Sequence, residues 1–369
     1  MSAAHLEIML VGATTAAACA LLGTFLVLRR LALISDAISH SILLGIVAAF
    51  FLVRDLNSPL LVVGAALVGV LTVWLIELVV KTRRVANDAA IGLVFPVLFS
   101  IAVIIITRAA SDIHLDTDMV LVGQIDFVPF DRLAILGIEL PRALWAMGAI
   151  LIINIIFITL FYKELKLVTF DTGLAAALGF MPVLLHYAIV TLTSITAVGA
   201  FDAVGSILVV ALMIAPPATA YLLTDRLGAM LLLSAVIGVL SAAIGFWPAR
   251  WLNVSTAGMM VVVTGVFFLL ALVLAPTRGL LPQWLRRRRQ RWEFAAQLLS
   301  VHLLHHENTP HEAYECSHAH LETHMRWSPE YANRVLGFAR RHGWVRCDDE
   351  RLHLTERGRE TALLMLVRS

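Results

Sequence analysis

The chain has 369 residues, of which 60% are hydrophobic and only 15% are charged. Soluble domains lie nearer half apolar, so this composition excludes an ordinary water-soluble globule, and Cys19, Cys316 and Cys347 supply no disulfide framework. The formal net charge of +2 says little by itself, but the charged residues concentrate beyond residue 276.

In chain order, apolar runs fall at 8–28, 35–53, 59–80, 89–107, 143–162, 182–201, 203–224, 228–248 and 255–275. A helix of about 20 apolar residues crosses a bilayer core of about 30 Å. The expected fold class is therefore an all-α polytopic membrane protein with about eight or nine transmembrane helices. The first run has no basic segment before it and is expected to be a retained span rather than a signal peptide. Basic residues cluster at Arg29–Arg30, Lys81–Arg84, Lys163–Lys166, Arg226 and Arg286–Arg289. With the N-terminus outside, all of these clusters face the cytoplasm, so the positive-inside rule predicts a cell-membrane protein with N-terminus out and C-terminus in.

The second run opens with Asp36 and His40, four residues apart and so on one helical face. Ionisable groups at membrane depth are costly and mark a pathway or a site. A carboxylate beside an imidazole suits manganese, zinc or ferrous iron rather than an alkali ion. The plainer alternative is a helix-end aspartate with an interfacial histidine. Glu77 and His186, near span ends or interiors, read as paired or interfacial groups.

Four stretches carry a resemblance. Residues 28–45 read LRRLALISDAISHSILLG, 121–128 read LVGQIDFV, 161–179 read FYKELKLVTFDTGLAAALG and 203–220 read AVGSILVVALMIAPPATA. Together they resemble the permease subunits of ABC transporters for zinc, manganese and iron, in the manganese and iron branch, over about residues 8–280. The resemblance implies that Asp36 and His40 coordinate the transported divalent ion, the only cofactor expected. It also implies that Lys163, Glu164, Asp171, Ala175 and Gly179 belong to a segment docking on an ATP-binding subunit. The implied partners are that subunit, a second permease copy or paralogue, and an extracytoplasmic metal-binding protein. Asp202, expected between two spans, departs from the pattern. It is a third oxygen ligand near the outer gate or a helix cap. No G-x-x-x-x-G-K-[ST] loop occurs, so ATP hydrolysis is expected in a separate subunit and the chain is not expected to be an enzyme.

The expected domain layout is a permease domain at 1–280, a basic linker at 281–290 and a cytoplasmic domain at 291–369. In the last of these, 291–305 read as an amphipathic helix, Ser317–Met325 as a second and Ser328–Gly343 as a third, capped by serine with proline at the first position. Residues 344–346 and 351–355 read as a two-stranded wing. This order resembles the winged helix of diphtheria-toxin-repressor-type metalloregulators. Asn333, Arg334, Arg340 and Arg341 can reach DNA in that arrangement, although tethering to a membrane favours an assembly or regulatory role and makes nucleic acid an unlikely partner. Seven of the 13 histidines lie between 302 and 324. His302, His306, His320, His324 and Cys316 form a candidate regulatory metal site or a solvated polar face. The function so read is import of manganese, zinc or iron by an ATP-driven system. The alternative is a membrane-anchored metal-responsive regulator with a DNA-binding tail.

Overall fold

The computed structural model describes residues 3–54, 58, 60–109, 125–135, 137–310, 312–317, 320–321, 325–348 and 351–368. Its contacts divide the chain into two compact units, Met1–Pro276 and Thr277–Ser369.

Among the described residues of the first unit, nine helices are long and apolar enough to cross a membrane. They are α1 (Ala3–Leu28), α2 (Ala32–Val53), α3 (Leu60–Lys81), α4 (Asn87–Ala109), α5 (Arg142–Leu160), α8 (Pro182–Val204), α9 (Ser206–Leu223), α10 (Leu227–Leu252) and α11 (Thr256–Leu274). Two short helices, α6 (Tyr162–Phe170) and α7 (Thr172–Ala177), lie between α5 and α8. The expected spans are all present, with ends shifted by a few residues. α1 is the most deeply buried helix and packs against α5, α8, α9 and α10. α2 packs against α3, α4, α8 and α9.

Small residues set these crossings, because helices in lipid associate by close backbone approach rather than by hydrophobic exclusion. A Cβ on Gly45 would lie 2.3 Å from the Gly64 carbonyl oxygen, so α2 and α3 meet backbone to backbone. A Cβ on Gly23 of α1 would lie 1.9 Å from the Met213 carbonyl oxygen of α9.

Between α4 and α5 the chain forms a 3-10 turn, Ile125–Phe130, and an antiparallel hairpin of β1 (Arg132–Ile135) and β2 (Ile138–Pro141). Ile125 and Val128 enter the main core. Asp126 accepts from Thr256 Oγ1 at 2.7 Å, and Arg132 pairs with Glu7 at the start of α1. The hairpin was not anticipated. The 121–124 half of the LVGQIDFV stretch lies outside the described residues.

The second unit contains α12 (Leu280–His306), α13 (Glu312–Glu315), α14 (Pro329–Arg341), the antiparallel pair β3 (Val345–Asp348) and β4 (Arg351–Leu354), and α15 (Glu356–Arg368). Residues 281–290, expected to be a linker, are helical and form the first turns of α12, as their arginine, glutamine and leucine content permits. The second helix does not start at Ser317. Ser317 bridges to Arg351, and the Cys316 carbonyl accepts from Leu352 N at 2.9 Å, so this stretch serves the edge of the strand pair. The small core gathers Leu299, Leu303, Leu321, Val335, Leu336 and Leu352.

Candidate metal pathway and coupling segment

The first functional group is built by the reversal after α1. Arg30 takes a left-handed conformation with φ 59°. Leu31 N then donates to the Leu26 carbonyl at 2.8 Å and Arg30 N to the Val27 carbonyl at 3.1 Å, which closes the helix end. The chain re-enters at once as α2, so Asp36 and His40 lie within its first turns.

Asp36 Oδ1 and His40 Nε2 are 3.4 Å apart. Their side chains are 40% and 31% exposed respectively. Among the described residues each is the other's only polar side-chain partner. The His40 ring packs against Phe95, centroids 5.8 Å apart, and edge-on to Phe99 at 6.1 Å, both from α4. The helix itself is braced from behind: Ser39 Oγ donates to the Ser35 carbonyl at 2.8 Å, and Thr72 Oγ1 of α3 donates to Ser41 Oγ at 2.7 Å. Asp202 lies in the last turn of α8 rather than between spans. α8 continues to Val204 and breaks only at Gly205, whose φ of 79° suits glycine. The side-chain surroundings of Asp202 lie outside what is described.

A second cluster joins three helix ends and the segment after α5. His186 Nε2 is 2.8 Å from Glu77 Oε1, and Tyr187 Oη donates to Glu77 Oε2 at 2.8 Å. Arg29 Nη1 lies 3.3 Å from His186 Nδ1, and Arg29 Nε donates to Thr169 Oγ1 of α6 at 3.4 Å. A guanidinium only donates, so Nδ1 is the accepting nitrogen, while Nε2 lies close to Glu77 without forming a hydrogen bond. These residues border a cavity of about 690 Å³ that also touches Lys81 and Thr172.

The segment 162–179 is a pair of short helices at a sharp corner. α6 buries Leu165 and Val168 and leaves Lys163 exposed and Glu164 half-buried. The Asp171 carboxylate accepts from Leu174 N at 2.9 Å and caps α7. Ala175 is fully buried beneath the turn. Phe180 N donates to the Ala175 carbonyl and Gly179 N to the Ala176 carbonyl, both at 3.1 Å, with Gly179 at φ 84°. This is a Schellman closure, which requires a residue tolerant of positive φ. Asp171, Ala175 and Gly179 therefore build the turn, while Phe170, Leu174 and Leu178 stand exposed on it.

In the second unit His302 and His306 lie one turn apart on α12 with ring centroids 4.7 Å apart. With Glu315 they form the group of potential metal ligands among the described residues, one donor atom from each within 4.8 Å of the others. Glu315 was not among the residues singled out from sequence. The signal available was an acidic residue a short turn after a His-x-x-x-His pair. Cys316 is buried beside this group, and its thiol is pushed up to about 11 by burial, then by the Glu312, Glu307 and Glu315 carboxylates. His320 is buried against Glu315, and His324 lies outside the described residues. On α14, Ala332, Val335, Leu336 and Ala339 face the core, while Asn333, Arg334, Arg340 and Arg341 are exposed.

A family model described as the ABC 3 transport family matches residues 2–275. The chain belongs to the ABC 3 transport family and is a multi-pass membrane component of an ABC transport system. It is similar to the zinc transport system membrane protein TroD of Treponema pallidum (strain Nichols), 44% identical over 353 residues and 96% of each chain. It is also similar to the manganese transport system membrane protein MntD of Bacillus subtilis (strain 168), 45% identical over 276 residues, 74% of this chain and 93% of that protein. Among solved structures, PsaBC from Streptococcus pneumoniae in complex with Fab matches with a TM-score of 0.63 and 26% identity, covering 75% of this chain and 94% of that one. A match over 353 of 369 residues takes in most of Thr277–Ser369, so the second unit is shared with the first of these relatives.

Proposed function

We propose that the chain is the permease subunit of an ATP-driven importer of a divalent transition metal: manganese, zinc or iron. The observation that carries this reading is the Asp36–His40 pair, a carboxylate and an imidazole set 3.4 Å apart on a span of an ABC 3 family member. An ion entering between them exchanges one weak contact for two ligand bonds, and neither residue must leave another polar side chain to bind it. Relatives named for zinc, manganese and chelated iron transport support the cargo class. Asp202 is assigned as a further oxygen donor to the path. The N-terminus lies outside, and an extracytoplasmic protein delivers the ion.

The segment 162–179 docks on a separate ATP-binding subunit, which supplies hydrolysis. The exposed apolar corner of Phe170, Leu174 and Leu178 gives such a partner something to grip. A second copy, or a paralogue, completes the path. The tail acts as a winged helix with an assembly or regulatory role rather than as a promoter reader. The order of three helices and a strand pair, with the Ser317–Arg351 bridge at its edge, supports that assignment.

The test is uptake by the complete reconstituted complex with competing manganese, zinc and ferrous ions. Asp36→Ala and His40→Ala should each abolish uptake while insertion and assembly persist. Normal uptake by both variants would overturn the assignment.

A further inference from the structure

The second unit holds a group of titratable side chains outside the membrane-spanning helices. His302 and His306 project from the last turns of α12, and Glu315 approaches them from the end of α13. All three are half-buried, with donor atoms within 4.8 Å of one another. Ligands about 2.1 Å from a tetrahedral ion stand about 3.4 Å apart, so small side-chain rotations close this set on a metal. We propose that His302, His306 and Glu315 form a divalent transition-metal site in the tail, separate from the path through the membrane.

Three further observations shape the site. First, the carboxylate is held: His320, itself buried, places Nε2 2.5 Å from Glu315 Oε2 and packs its ring 4.7 Å from Tyr314. Groups packed against a ligand from outside are how metal sites fix ligand orientation. Second, the neighbouring acids are engaged elsewhere. Glu307 pairs with Arg359 at 2.6 Å, and Glu312 accepts from Asn308 N at 2.9 Å. Third, His302 and His306 line an open cleft of about 480 Å³ that is bordered also by Met325 and Trp327. A fourth coordination position therefore faces an open space.

Three protein ligands and an open position differ from a closed four-ligand structural centre. Two imidazoles and one carboxylate favour zinc, ferrous iron or cobalt over manganese, because affinity rises along that series for nitrogen donors. Ligation ties the end of α12 to α13, so the tail is stabilised by an amount that grows with the logarithm of ion concentration over the dissociation constant. This inference does not depend on the chain being an importer, since binding is measured directly.

The experiment uses the full-length protein in detergent, free of any purification tag, in an Asp36→Ala/His40→Ala background that removes the membrane pair. After chelator treatment it is titrated with zinc and, separately, with cobalt as a spectroscopic probe. The expected result is one ion per chain, a visible cobalt band, and a melting temperature that rises with zinc. Adding His302→Ala/His306→Ala should abolish the band and the thermal shift. His320→Ala should weaken binding by about 10- to 100-fold. His305→Ala, on the same cleft but outside the ligand set, should bind as the parent does. If the double histidine variant does not fold, Glu315→Gln, which keeps the side-chain shape, decides by its affinity alone. The proposal is overturned if Glu315→Gln or the double variant binds as tightly as the parent. It is equally overturned if His305→Ala loses binding to the same degree, because that is diffuse capture by a histidine-rich segment.

Discussion

Among the described residues of the membrane unit, two carboxylate–imidazole pairs are built on opposite plans. Asp36 and His40 come from one helix, four residues apart, and touch at 3.4 Å with aromatic rings around them. Glu77 and His186 come from two helices, α3 and α8, and touch at 2.8 Å inside a set of fixed donors. Tyr187 occupies the second oxygen of Glu77, and Arg29 occupies the second nitrogen of His186. The same two functional groups thus make an open pair in one place and a multiply contacted one in the other. An ion can enter the first by displacing a single long contact. To enter the second it must break three protein contacts. The open pair suits passage of cargo. The multiply contacted pair suits a latch, because through Arg29 and Thr169 it ties the ends of α1, α3 and α8 to α6.

The largest expected effect separates the two plans. Asp36→Ala or His40→Ala should reduce metal uptake to background in the reconstituted complex, whereas Glu77→Gln should retain measurable uptake. Glu77→Gln keeps one acceptor oxygen for Tyr187 while its amide NH2 replaces the charged oxygen beside His186. Equal, complete loss in both pairs would erase the distinction and make Glu77 and His186 part of the path.

The next effect tests the latch. Arg29→Ala leaves Thr169 and the His186–Glu77 pair in place but removes the bond to α6. ATP turnover by the complex should continue while ions transported per ATP fall several-fold. A fall in both rates by the same factor would mean that Arg29 supports assembly rather than coupling.

What the amino-acid sequence made legible follows from the range of the forces involved. The nine spans were legible because a bilayer imposes a length and an apolarity that no local detail overrides. The Asp36–His40 pair was legible because helical periodicity alone brings positions i and i+4 together. Glu77 and His186 are 109 positions apart, and only tertiary packing joins them. The hairpin of β1 and β2 was missed because four-residue strands around Gly137 carry too short an alternation to stand out beside a span. α15 was missed although Thr355 accepts from Gly358 N at 3.1 Å and caps it, a signal present in the residues themselves. Glu315 was missed because a bend in the chain, not a periodicity, delivers it to His302 and His306.

A smaller effect concerns the corner that the latch holds. Gly179→Ala forces a side chain into a left-handed conformation at a cost of about 1–2 kcal/mol, and Asp171→Ala removes a cap worth about 1 kcal/mol. Both act on α7 alone. A cysteine at Ala176, which crosslinks to the ATP-binding subunit if the docking assignment holds, should crosslink less efficiently in both variants. Gly179→Ala should show the greater loss. Unchanged crosslinking in both would show that the partner itself, not the turn, sets the shape of this segment.

The smallest effect lies behind the open pair. Thr72 Oγ1 of α3 lies 2.7 Å from both Ser41 Oγ of α2 and the Val68 carbonyl, which share its one proton, and it is fully buried. Thr72→Val keeps the volume and removes the hydroxyl. Ser41 keeps its own bond to the Ile38 carbonyl at 3.2 Å, so its donor is not stranded. Hydrogen bonds between membrane helices average about 0.6 kcal/mol, because the unfolded chain in lipid also finds partners. The close approach of Gly45 and Gly64 continues to hold α2 against α3. The variant should therefore lose only a degree or so of thermal stability in detergent and transport at the parent's maximal rate. A large loss of uptake with no loss of stability would mean that this hydroxyl pair positions Asp36 and His40, and the open pair would then be less self-sufficient than one helix makes it.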